Sequence, residues 1–382
     1  VVAGDPCFDR ILASVPFRRR YRTALGVGDR QLVFVSSTWS AKSALGARFE
    51  LLRELLAELP RDSYAVATAL HPNISHRHGS DQVMHWYADC LRAGLIVLPE
   101  IDGWRAGVIA ADVAIGDSGS VTGYCAAIGT PTLLAEFPNV PDGTAISELG
   151  RAARLLPSSG PYLPHIEAAI SEAPVNNFNG VAELVTSEPE RALSLLRGLF
   201  YSVLEIPEPP VEVAVPAVPT PSIPPPPSPF ADTVVARIDR DANTIHLARC
   251  PAEVARGHRN DLPEQDVRFL CCSADYPIRA LWQKAAVLVA TAADLEDPSG
   301  WMRKTLRHNP FCVAVMAGDE DHGTILFQTG ESIELQGAPA SLLAVAAHAW
   351  LLGSRSRTLT HPIRVTAGTL HYDIHPCDRA YH

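Results

Sequence analysis

Residues 116–131 read GDSGSVTGYCAAIGTP and follow an apolar run. An acid, two serines and two early glycines thus stand where a buried strand should give way to a helix. The first N–H groups of a helix lack intrahelical partners and carry the positive end of its dipole. Such a start suits an anion, a diphosphate in particular. Gly119 would let a phosphate approach the backbone, and Ser118, Ser120 and Thr122 would add hydroxyl donors, with Asp117 at the turn. The other reading is structural, with Asp117 or Ser118 simply capping the helix. Ser37 and Thr38 stand in the same position after another apolar run, and His71 after a third, in a loop with His76 and His78. An imidazole there could donate to a phosphate or exchange a proton near neutral pH, which makes His71 the catalytic candidate. Its plain alternative is a histidine in a polar surface turn. H-x-H without a third ligand predicts no metal site, and no cofactor is implied.

Those segments need a frame to bring them together. LVFVS (32–36), YAVATAL (64–70), LIVLP (95–99), DVAIG (112–116) and TPTLLAEF (130–137) are largely apolar rather than alternating. Strands of that kind belong to a parallel sheet covered on both faces. Apolar residues at helical spacing predict intervening helices over 49–59, 82–92 and 104–110, and one running through Ala126. The alternation describes a doubly wound α/β domain. Ligands of such sheets bind beyond the carboxyl ends of the strands, where the polar segments fall together with Trp39, Asn73, Glu100 and Trp104. In TSEPERALSLLRGLFYSVLEI, Ser187 and Glu190 have capping-box spacing, and the helix that follows should lay Leu193, Leu196, Leu199 and Leu204 on the sheet. The RRRYR run (18–22) reads as a solvated helix face.

The chain has 382 residues, 47% hydrophobic and 19% charged, enough for about two globular domains. A net charge of −10 argues against a general nucleic-acid or anionic-membrane binder. No apolar run is long enough to span a bilayer, and the longest, 342–352, reads as a core helix. Eight scattered cysteines without C-x-x-C spacing predict free thiols and a cytoplasmic setting. Eleven prolines fall between 206 and 229. They predict a polyproline spacer reaching about 70 Å, hence domains at 1–205 and 231–382 joined by a linker over 206–230. The second, smaller domain mixes strands (VRFLCC, AVLVATA, CVAVMA, TILFQTG, SIELQG) with helices near 276–284, 299–307 and 340–352. It is expected to be a second α/β domain, open to a protein partner. Its GDEDHG turn (318–323) imitates a D-x-D metal motif but reads as a hairpin turn.

Taken together, the strand-end Asp-Ser-Gly-Ser, the following Gly-x-Pro at 129–131 and His71-Pro72 resemble the donor-binding half of GT-B-fold enzymes. The resemblance is to UDP-N-acetylglucosamine 2-epimerases and CDP-glycerol glycerophosphotransferases, and covers 1–205. It implies a nucleotide diphospho-linked sugar or polyol as ligand, with phosphate contacts from Ser118, Gly119 and Ser120, and a metal-independent transferase. VVAGDPCFDRI is similar to the hinge strand between the GT-B halves, which implies that an N-terminal half is missing. Val121-Thr122-Gly123-Tyr124 lacks the acid with which the epimerases hold the ribose. The alternative from another class is a non-catalytic nucleotide-binding regulatory or scaffold protein.

Overall fold

The computed structural model describes residues 2–138, 140–172, 178–224, 229–255, 266–353, 359 and 361–377. The chain forms two compact units, one of residues 1–55 with 64–226, the other of 56–63 with 227–382.

Six parallel strands build the first unit: β1 (Gln31–Ser37), β2 (Tyr64–Leu70), β3 (Ile96–Val97), β4 (Val113–Gly116), β5 (Thr132–Leu134) and β6 (Arg154–Leu155). Their order is β3-β2-β1-β4-β5-β6, so the strand order reverses between β1 and β4. That is the doubly wound arrangement expected from the apolar runs. β1, β2 and β4 are buried almost end to end, as strands covered on both faces must be. The helix Gly103–Ala110 lies close on the sheet, because a Cβ on Gly107 would stand 2.6 Å from the Phe34 ring and from Leu98.

Several expectations for the first unit are corrected. Residues 6–14 are not a strand: the Asp5 carboxylate accepts from the N–H groups of Cys7 and Phe8 and caps the helix Pro6–Ser14, with Pro6 in its first turn. The RRRYR run is solvated only in part. Tyr21 is fully buried, and Arg18 and Arg22 grip Asp112 at 2.6 and 2.7 Å while Asp112 also accepts from the N–H of Leu32. Ser187 and Glu190 form no capping box. The helix begins at Ala192, and its first turn is capped by buried Asp9, which accepts from the N–H groups of Glu190 and Ala192 at 2.7 and 2.8 Å. This helix buries only Ala192 and leaves Phe200, Val203 and Leu204 exposed. The expected helix over 82–92 is two helices, Ser80–Trp86 and Ala88–Arg92, parted at Tyr87.

The proline-dense segment is not free along its length. Val218 is buried, its N–H donates to the Ser14 hydroxyl at 2.9 Å, and its carbonyl accepts from the Tyr21 hydroxyl at 2.6 Å. Compactness of the first unit therefore runs past 205. Residues 225–228 of the expected linker lie outside the described residues.

The second unit, expected as a smaller α/β domain, closes its strands into a barrel. Its strands are β7 (Ala231–Asp239), β8 (Thr244–Pro251), β9 (Asp266–Ser273), β10 (Val287–Thr291), β11 (Ala314–Gly318), β12 (His322–Phe327), β13 (Ser332–Gln336), β14 (Ile363–Ala367) and β15 (Leu370–Pro376). They close in the order β10-β11-β12-β13-β15-β14-β8-β7-β9. The helix Ala340–Gly353 is apolar all round and packs with inward residues of the strands, among them Ile245, Phe269, Met316 and Val365. A helix of that composition is stable only when covered on every side. Segment 56–63 belongs to this unit: Asp62 pairs with Arg249 at 2.5 Å, and Arg61 with buried Asp232 at 3.1 Å. GDEDHG is the β11–β12 hairpin turn, in which the Asp319 carboxylate accepts from the N–H groups of Asp321 and His322. Among the described residues no helix is long and apolar enough to cross a membrane.

Candidate functional site

The carboxyl ends of β1 and β4 meet at the point where the strand order reverses. There the carboxylate of Asp117 is buried and fully engaged. One oxygen accepts from the N–H and hydroxyl of Thr38, both at 2.9 Å, and from the N–H of Ala44 at 2.8 Å. The other accepts from the N–H of Gly119 at 3.0 Å. Ser37 completes the knot, accepting from the N–H of Leu45 at 3.0 Å and donating to the Thr38 carbonyl at 2.9 Å. Ser37, Thr38 and Asp117, expected as ligand contacts, fasten the β1 and β4 loops to each other.

Two further residues expected as contacts, Gly119 and Thr122, have packing roles. Gly119 is needed by packing: a Cβ there would lie 3.0 Å from the Thr38 methyl and 3.1 Å from Asp117. Thr122 is wholly buried under the helix start, and its side chain fills the space that a Cβ on Gly116 would take, 2.2 Å from its hydroxyl. Among the described residues that hydroxyl has no hydrogen-bond partner.

What remains open is the start of the helix Ser120–Ala127, whose N-cap Gly119 offers no side-chain cap. The N–H groups of Ser120, Val121 and Thr122 occupy its first turn, where no intrahelical acceptor exists. Ser120 is exposed and Ser118 partly so, which leaves both hydroxyls available beside those donors. Asp117 takes up the N–H of the N-cap Gly119 and leaves those of Ser120, Val121 and Thr122 to be met from outside the helix.

On the other side of the β1 loop lies a shallow cleft of about 280 Å³ lined by Trp39, Asn73, His76 and Arg77. Residues 72–78 are a helix, Pro72–His78, and not a loop, so Asn73, His76 and Arg77 share one face at i, i+3 and i+4 spacing. His71 is its N-cap: Nδ1 accepts from the N–H of Asn73 at 3.1 Å, which leaves the proton of the neutral ring on Nε2. The His71 ring stands 6.5 Å from that of Trp39, which is itself half exposed. Ser75 donates to Glu100 and ties the helix to the β3 end. Arg77 is exposed and makes no ion pair among the described residues. Arg77 is the functional candidate that sequence reasoning missed. The available signal was His71-Pro72 itself, an N-cap position followed by proline at the first helical position.

The site thus combines a backbone anion cradle, two open hydroxyls, an exposed guanidinium and an exposed indole beside an imidazole donor. Several solved structures are similar to part of this chain. One is a UDP-N-acetylglucosamine 2-epimerase, so described, from Listeria monocytogenes, with 17% identity over 56% of each chain and a TM-score of 0.30. Another is the wall teichoic acid polymerase TagF, with 14% identity over 54% of this chain and 52% of that one, at a TM-score of 0.35. A third is the UDP-GlcNAc 2-epimerase of Neisseria meningitidis bound to UDP-GlcNAc, with 11% identity over 54% of each chain and a TM-score of 0.34. The chain spans about half the length of each. No protein-family model matches it, and neither does any curated protein.

Proposed function

We propose that the first unit binds a nucleotide diphospho-linked sugar or polyol as the donor-binding portion of a glycosyltransferase-like or glycerophosphotransferase-like protein. One observation carries this reading: the Asp117 knot ties the open start of the Ser120 helix to Thr38, next in the chain to Trp39 of the Trp39–Asn73–His76–Arg77 cleft, at the reversal point of a parallel sheet. The diphosphate lies against the N–H groups of Ser120 and Val121 and the hydroxyls of Ser118 and Ser120. Helix dipole and hydroxyl donors stabilise a diphosphate leaving group without a metal. Trp39 offers an aromatic face for the base, and Arg77 a counter-charge. His71, with its Nε2 proton aimed outward from the Asn73 contact, is the acid/base candidate.

Calorimetric titration of the full chain with UDP and CDP tests the reading. Ser118→Ala with Ser120→Ala should weaken binding by about 2–3 kcal/mol, two hydrogen bonds to a charged group. Equal affinity of wild type and double variant, or no binding of either nucleotide, would overturn it.

A further inference from the structure

The barrel carries a second cluster of chemically capable side chains, none of them assigned a role above. His322 opens β12, Glu334 lies on β13, and Cys377 follows β15. The strand register brings them together. Thr324 pairs with Glu334, so His322 is Glu334's diagonal neighbour on the same face. Leu335 pairs with Pro376, and the N–H of Cys377 donates to the Glu334 carbonyl at 2.8 Å, so Cys377 stands directly across from Glu334. One imidazole nitrogen, one carboxylate oxygen and the thiol sulfur all lie within 4.8 Å of one another. His322 Nε2 is 2.9 Å from Glu334 Oε1, and both side chains are about half exposed, at 45% and 52%.

We propose that His322, Glu334 and Cys377 form a zinc site on the outer face of the barrel. A mixed sulfur, nitrogen and oxygen set suits Zn2+, whereas Mg2+ and Ca2+ seek oxygen alone. Two ligands on adjacent strands and a third just past the end of the next have their backbone positions fixed by the barrel's register before the ion arrives. Opening the His322–Glu334 contact by a few tenths of an ångström admits the ion between them. Binding displaces the proton of the Cys377 thiol to solvent, so the site gains Zn2+ and releases H+. A water fills the fourth position of the tetrahedron. The sequence pattern concealed this set, because its members are neither close in the chain nor spaced as a motif. The acids of the neighbouring turn are not part of it, since Asp319 is occupied by the backbone of Asp321 and His322.

Other thiols compete poorly. Burial pushes Cys90, Cys250 and Cys272 up to about 12, so their thiolates are scarce at neutral pH. Cys7 is half-buried and receives a hydrogen bond from Arg105 Nε at 3.3 Å, which makes it the control.

The test uses Co2+ as the probe on the full chain, followed by displacement with Zn2+. One equivalent of Co2+ should produce a sulfur-to-cobalt charge-transfer band, with visible bands of four-coordinate intensity, and Zn2+ should abolish both. Cys377→Ser should remove the charge-transfer band and Cys7→Ser should retain it. His322→Gln should weaken binding at least about tenfold, since even outer-shell changes cost that much. All three variants are read alongside their melting curves, and the barrel transition should match wild type because none of these side chains is in the barrel core. Absence of the band in folded wild type, or its persistence in Cys377→Ser, overturns the assignment.

Discussion

Asp117, at the end of β4, holds Thr38, at the end of β1, by its N–H and its hydroxyl at once, each at 2.9 Å. Two loops that are distant in sequence are thereby set in one geometry. The same carboxylate takes the N–H groups of Ala44 and Gly119. Asp117→Asn places an amide NH2 where at least one of these donors now points. A buried donor left unpaired costs about 1–3 kcal/mol. The variant should therefore lose at least about 2 kcal/mol of stability in the first unit's urea transition. An unchanged midpoint would mean that the knot does not hold the loops.

The cleft makes a separable prediction. Trp39→Ala should weaken both uridine and UDP by about 1–3 kcal/mol, the usual worth of a base stacked on an aromatic ring. Arg77→Ala should weaken UDP by about 1–2 kcal/mol, as expected for a partly solvated charge-assisted bond, and leave uridine unchanged. Titration of both variants with both ligands checks the pattern. Loss of uridine binding in Arg77→Ala would place the base, not the phosphate, on that side of the cleft.

The sheet could be read from sequence because its strands are covered on both faces, and continuous apolar runs such as YAVATAL announce that directly. β2 occupies the residues of that run. The parts that eluded reading are those in which a distant side chain decides the local structure. Asp9 caps a helix that begins at Ala192, and no window around Ser187 can show it. The role of Asp117 was hidden in the same way: an acid at a strand end fits a ligand contact and a loop clamp equally well until Thr38 is seen beside it. Barrel closure rests on pairings such as β14 with β8, between segments far apart in the chain. The proline segment was misjudged because composition reports what it cannot form, and says nothing of the pocket that Val218 fills.

Segment 56–63 carries a prediction about where the barrel unit can be cut. Arg249 pairs with Asp62 through Nε and Nη2, at 2.5 to 3.2 Å, and its side chain is 15% exposed. Removing one partner of a buried pair costs about 3–5 kcal/mol, because the other charge stays in place without compensation. Asp62→Ala should destabilise the barrel's transition by about 3 kcal/mol. A fragment of 231–382 lacks Asp62 altogether and should melt below the corresponding transition of the full chain. Equal melting of fragment and full chain would show that segment 56–63 is dispensable to the barrel.

The barrel core contains a titratable group whose effect has a definite sign. His348 lies on the helix Ala340–Gly353, buried edge-on against Phe269 with ring centroids 4.6 Å apart. Burial pulls its pKa from 6.5 down to about 4, since the charged ring would be poorly solvated there. As pH falls from neutrality, the unfolded chain takes up this proton first. The stability linked to a neutral His348 is therefore complete above 6.5 and is lost as pH falls through that value toward about 4. The loss amounts to roughly 3 kcal/mol, at 1.36 kcal/mol for each pKa unit. His348→Leu removes the titration while filling most of the same space. Between pH 7 and about 4, wild type should lose roughly 3 kcal/mol more than this variant in denaturant melts of the barrel transition. Parallel acid profiles for the two proteins would show that the ring reaches solvent and is protonated in the folded state.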